Sequence, residues 1–200
     1  MNKLISFFSL TLVLFLGACT ATSTDSSATA EGPKVDAPSS ASSALFTVEV
    51  LNDSLPSPRK ELTTKLDGAA ITINYGSPAV KGRTIWGDLE EYGKVWRTGA
   101  NEATTFETSK NLSIGGQTLP AGKYALFTIP GESDWTLIFN KTHDQWGAYE
   151  YDEAQDAIRV KVVPQPGEMT EYLEFTVTEG NTIVLSWEEI MVPFEVAAAS

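Results

Sequence analysis

LSIGGQTLPAGKYALFTIPGESDWTLIFN, residues 112–140, holds four strand-like runs separated by three turn signals. Gly115-Gly116 sits between Leu112-Ser113-Ile114 and Gln117-Thr118-Leu119, the signature of a short hairpin. Pro120-Ala121-Gly122 leads into Tyr124–Ile129, and Pro130-Gly131-Glu132-Ser133 into Trp135–Phe139. No apolar helical face runs beyond a turn or two, so the stretch reads as consecutive antiparallel strands. The same period of two recurs on both sides. Phe46, Val48 and Val50 alternate with polar residues, as do Ile71, Ile73 and Tyr75; Ile158, Val160 and Val162; and Leu173, Phe175 and Val177. Ile183, Leu185 and Trp187 alternate with Val184 and Ser186 across the Glu179-Gly180-Asn181 turn. Each run is expected to turn one face to a core and the other to water. About ten strands follow, with single helical turns at Asp88–Tyr92 and Glu153–Ala157 and no internal repeat. The fold class is all-β, an antiparallel two-sheet sandwich, with a closed barrel as the rival architecture.

Composition narrows the function. The 200 residues carry 14 Lys+Arg against 26 Asp+Glu, a net charge of -12, which argues against a nucleic-acid partner. One Cys and one His exclude an internal disulfide framework, a structural zinc finger and imidazole-rich zinc sites. No metal and no cofactor is expected. The acids Glu150, Asp152, Glu153 and Asp156 lack EF-hand spacing and read as a solvated loop rather than a calcium site.

The N-terminus addresses the protein. Leu4–Leu16 is a 13-residue apolar run behind Lys3, short of the ~20 residues a spanning helix needs and suited to a signal peptide over residues 1–18. Leu16-Gly17-Ala18-Cys19 resembles the lipobox of bacterial lipoproteins. That resemblance implies cleavage before Cys19, lipidation of its thiol, and membrane attachment through several acyl chains. It also implies an outer-membrane destination, because Thr20 rather than Asp follows the Cys, and a periplasmic face, because no acid lies close behind it. Residues 19–44, rich in Ser, Ala and Thr, read as a flexible tether. The domain is expected over 45–200.

Two segments stand out as carriers of chemistry. Residues 75–102 contain the bases Lys81, Arg83, Lys94 and Arg97, flanked by Trp86 and Trp96 and ending Asn101-Glu102. Arg can grip a carboxylate or phosphate with two prongs, and Trp can stack on a ring. Residues 140–149 hold the only histidine, His143, with Trp146 and Tyr149. The candidate binding site is therefore Lys81, Arg83, Trp96, Arg97, Asn101, Glu102, His143, Trp146 and Tyr149. The structural alternative sends Trp96 to the core and pairs Arg97 with Glu102 or a backbone carbonyl. No nucleophile elbow, phosphate loop, dinucleotide fingerprint or zinc-protease motif is present.

Ser77-Pro-x-x-Lys81-Gly-Arg83, Tyr92-Gly-Lys-Val-Trp96-Arg97-Thr-Gly-Ala-Asn101-Glu102, Leu119-Pro-Ala-Gly122-Lys-Tyr124 through Pro130, Trp135-x-x-Ile138-x-Asn140 and Gln145-Trp-Gly-x-Tyr149 resemble a bacterial family catalogued as domain of unknown function 2911. The resemblance implies a secreted or lipid-anchored β-rich domain and supplies no catalytic residues. Three functions stay open: a module binding a glycan or small anionic ligand; a structural lipoprotein binding another envelope protein; and a small hydrolase or transferase with Glu102 as base, Arg97 and Lys81 holding an anion and His143 carrying a proton.

Overall fold

The protein is described by a computed structural model covering residues 45–199. Residues 1–18 and 19–44, expected to be a signal peptide and a tether, lie outside the described residues, Cys19 among them. In chain order the strands are β1 (Phe46–Asn52), β2 (Arg59–Leu66), β3 (Ala69–Gly76), β4 (Thr105–Thr108), β5 (Leu112–Ile114), β6 (Gln117–Leu119), β7 (Gly122–Ile129), β8 (Trp135–Asn140), β9 (Asp156–Val162), β10 (Gln165–Thr178) and β11 (Thr182–Ala198). They form a seven-stranded sheet, β1-β2-β3-β4-β7-β8-β9, and a four-stranded sheet, β10-β11-β5-β6, and neighbouring strands pair antiparallel throughout. Among the described residues both sheets keep free edges, so the architecture is the sandwich and not the barrel.

Two hairpins rest on paired positive-φ residues. Gly115 and Gly116 have φ of 55° and 78° between Ile114 and Gln117, which pair. Asp67 and Gly68 have φ of 46° and 75° between Leu66 and Ala69, which also pair. Positive φ at both central residues is what a tight two-residue hairpin requires. β11 bends at Glu188, where φ is 57°, and Val196 N–H donates back to Asn181 O at 3.0 Å.

The inner faces meet around Ile71, Ile73, Tyr75, Phe106, Leu126, Phe139, Phe175 and Leu185. At their centre Trp86, Trp96, Trp135 and Trp187 pack together: Trp96 stacks on Trp187 at 5.7 Å between ring centres, and Trp86 meets Trp135 edge-on at 4.8 Å. A smaller cluster, Ala103, Ala125, Phe127 and Ile138, forms on the outer face of the large sheet. That second cluster explains why Tyr124-Ala125-Leu126-Phe127 is apolar on both faces.

Three expectations need correction. β2 and β4 match none of the nine runs named from the sequence, and with them the count is eleven. β1 forms as expected but buries neither face well: Val48 is 42% and Val50 58% exposed, because β1 is the edge of the wider sheet. Asp88–Tyr92 is not a helical turn; Leu89 and Glu90 donate to Thr84 O and Ile85 O, and Gly87 N–H donates to Glu90 O. The helical turn near Glu153 is present as a short 3-10 helix, Glu153–Gln155.

Candidate functional site

Asn74, Thr105 and Ala125 lie in one cross-strand row on the outer face of β3, β4 and β7. Two segments fold over this face. Residues 95–104 run against β7, with Trp96 N–H donating to Thr128 O at 2.8 Å and Thr128 N–H donating back to Trp96 O at 2.9 Å. Close approach to β3 depends on glycine: a Cβ on Gly76 would sit 2.1 Å from Ala100 O. Thr98 and Asn101 hold φ of 56° and 64° in this segment, and for β-branched Thr98 that conformation is strained. Its hydroxyl lies 3.2 Å from that of Thr128, while Thr104 donates to its carbonyl at 2.8 Å.

The second segment, 141–151, meets the first at one antiparallel bridge, Glu102 opposite Trp146. Ala103 N–H donates to Gln145 O and Gly147 N–H to Asn101 O, each at 3.0 Å. These bonds flank the Glu102–Trp146 pair rather than join it, the arrangement in which opposed side chains lie closest and on the same side. A carboxylate thus stands beside an indole that is 57% exposed.

Around that pair opens a cleft of about 710 Å³. Asn74, Thr105 and Lys123 come from the sheet, Arg59 and Glu102 from one side, and His143, Asp144, Gln145 and Glu150 from the other. Arg59 Nη1 lies 3.7 Å from the Glu102 carboxylate. Its guanidinium also donates to the Asn74 side-chain oxygen and to the carbonyls of Asn74, Glu102 and Ala103. Burial pulls the Arg59 pKa below its usual value, and the Glu102 carboxylate works against that pull.

A polar network holds the 141–151 segment. Asp156 accepts from Tyr151 Oη at 2.8 Å, Arg159 Nε at 2.7 Å and Asn140 Nδ2 at 2.7 Å, and Asn140 also donates to Asp152 O. Burial pushes the Tyr151 hydroxyl up to about 12, with the Asp156 carboxylate adding to the effect. The acidic run is thus divided among separate tasks. Glu153 pairs with Arg159 at 3.1 Å, Asp152 caps Ala154 N–H, and Glu150 faces the cleft. Among the described residues no group of three or more metal-ligating side chains converges.

The structure brings Glu102, His143 and Trp146 to one cleft and places the other sequence candidates elsewhere. Trp96 is a core residue whose indole donates to Gly99 O at 3.2 Å. Arg83 clamps the carbonyls of Ala79 and Val80 in its own turn. Lys81 has an exposed side chain, and its N–H donates to the Glu171 carboxylate at 3.0 Å. Asn101 donates to Ser57 O. Tyr149, 86% exposed, lies beside the cleft and does not line it. Arg97 acts on Glu90 rather than Glu102: burial pushes the Glu90 carboxyl up to about 7 despite the lowering influence of Arg97 and Arg83. An enzyme with Arg97 and Lys81 as anion holders beside Glu102 therefore has no geometry here; the cations at the cleft are Arg59 and Lys123. Arg59 opens β2, whose Leu62, Thr64 and Leu66 alternate with Thr63 and Lys65, and that alternation was the signal available for the strand.

A family model described as a protein of unknown function (DUF2911) matches residues 57–196, well over half of the chain, so the chain belongs to that family. No curated protein and no solved structure matches it.

Proposed function

We propose that this member of the DUF2911 family is a lipid-anchored protein of the cell envelope whose sandwich carries a ligand-binding cleft on the outer face of its large sheet. Cys19 is the attachment point, the tether of residues 19–44 spaces the domain from the bilayer, and the outer membrane's periplasmic face is the location. The lipobox-like Leu16–Cys19 supports the anchor. The observation that carries the binding reading is the cleft itself. Two segments remote in sequence meet at Glu102 and Trp146, leaving a large exposed indole beside a carboxylate above polar sheet residues. Strained backbone at Thr98, in the segment that carries Glu102, supports the same reading, because such strain gathers at functional sites.

Two experiments test this. Cys19→Ser should move the protein from the membrane to the soluble fraction and abolish fatty-acid labelling; unchanged membrane fractionation and labelling would remove the anchor. Trp146→Ala and Glu102→Gln should keep the melting temperature and lose binding of any ligand recovered against the wild-type protein. Ligand affinity unchanged in both variants would remove the cleft.

A further inference from the structure

We infer that the ligand of this cleft is an uncharged sugar ring, recognised by its hydroxyl donors and by stacking on Trp146; this rests on the cleft being the binding site. Gln145 decides the chemistry. Gln145 is one of the residues lining the cleft, it is only 7% exposed, and its Nε2 donates to Thr142 O at 2.6 Å. That bond fixes the amide's orientation, because the flipped form would set oxygen against oxygen. The other end, Oε1, is then a buried acceptor with no donor in the described residues. Buried acceptors are normally paired, and leaving one unpaired costs stability. What Gln145 lacks is an O–H or N–H.

The surrounding charges point the same way. Arg59 is already engaged by Asn74, by Glu102 and by backbone carbonyls. With that Arg59–Glu102 pair set aside, the lining offers the carboxylates of Asp144 and Glu150 against Lys123. An anion entering here meets like charge and an acceptor it cannot satisfy. A compact cation meets Lys123 and Arg59 and finds one aromatic face rather than a cage. A sugar ring supplies hydroxyl donors for Gln145 and Glu102 and an apolar C–H face for Trp146, the side-by-side pair that the bridge creates. Oε1 is covered in the free protein, so a hydroxyl reaches it only by a small shift of residues 143–146. That segment is held to residues 101–103 by two backbone hydrogen bonds.

The test is titration calorimetry on the full-length Cys19→Ser protein. Neutral probes are the hexaoses of glucose in both linkages, mannose, xylose and N-acetylglucosamine; charged probes are hexagalacturonate, inorganic phosphate and the glucosamine hexamer. Expected is binding of at least one neutral hexaose, nearly unchanged between about 50 and about 500 mM salt. Affinity should fall about tenfold or more in Trp146→Ala and in Gln145→Met, as expected when a stacking or hydrogen-bonding partner is lost. Binding confined to an anionic probe or to the glucosamine hexamer, lost in Trp146→Ala, would overturn the ligand class and leave the cleft standing. No binding of any probe would overturn both readings. Neutral-sugar binding that survives both substitutions would place the sugar outside this cleft and overturn the inference.

Discussion

Glu90 makes the stability of the domain depend on pH in a direction opposite to that of most acidic residues. Its backbone is tied into the 84–93 turn, and burial raises its carboxyl from an ordinary 4.5 to about 7, against the pull of Arg97 and Arg83. Below the unfolded value both states hold the proton. As pH rises from 4.5 towards 7 the unfolded chain releases it while the folded domain keeps it, so folding stability declines through that window and levels off above it. A shift of that size corresponds to about 3 kcal/mol at about 1.4 kcal/mol per pH unit, an upper bound because the side chain is partly open to solvent. Glu90→Gln removes the titration while keeping shape. The variant should match wild type at pH 4.5 and exceed it by about 1–3 kcal/mol at pH 8, read from urea denaturation at intervals between. Taking the difference between the two proteins cancels every other titrating group. Parallel profiles, or a Gln variant less stable than wild type at pH 8, would refute a buried, raised Glu90.

Three further outcomes follow from packing. Gly115→Ala and Gly116→Ala share the cost of positive φ, about 1 kcal/mol each. Only Gly115 would also drive a Cβ to 2.2 Å from Val160 Cγ1, while Gly116 meets nothing, so Gly115→Ala should be worse by about 1–3 kcal/mol in thermal or urea melts; equal losses would contradict the hairpin's seating on β9. Asp156→Ala strips an acceptor from Tyr151, Arg159 and Asn140 at once and should destabilise by about 2–3 kcal/mol, with a loss below about 1 kcal/mol showing the network to be solvent-screened. Glu102→Gln breaks a pair whose acid is half exposed and should cost under about 1 kcal/mol by the same melts; a larger loss would make Glu102 a structural residue.

The fold was legible because its core strands obey one rule. Ile71, Ile73 and Tyr75, or Leu173, Phe175 and Val177, alternate cleanly and pack inward. The Gly-Gly hairpin is encoded by the only residue that takes positive φ freely. β2 was less visible, with Leu62 and Leu66 four apart in a charged run and its turn carried by the single pair Asp67-Gly68. At the site, the sequence located the two segments but not which side chains face one another. Trp96 and Trp146 are alike as letters; one lies in the four-tryptophan core because β7 pins its backbone, the other is exposed because it sits opposite Glu102 on an outer edge. Arg97 and Arg59 differ likewise: register sets Arg59 opposite Gly76, from where its guanidinium reaches Asn74, 15 positions on, and Glu102, 43 positions on, a relation that no local pattern encodes.

The half-covered edge strand β1 has a colloidal consequence. Among the described residues its outer backbone groups have no partner strand, and Val48, Val50 and the neighbouring Leu51 are open to water. Such an edge invites another chain to add to the sheet. What separates two copies in dilute buffer is mutual repulsion from a net charge of -12, reinforced locally by Glu49 and Asp53. That repulsion fades as pH approaches the isoelectric point of about 4.5. The acidic range in which Glu90 favours the folded domain is therefore also the range in which concentrated solutions lose their protection against edge-to-edge association.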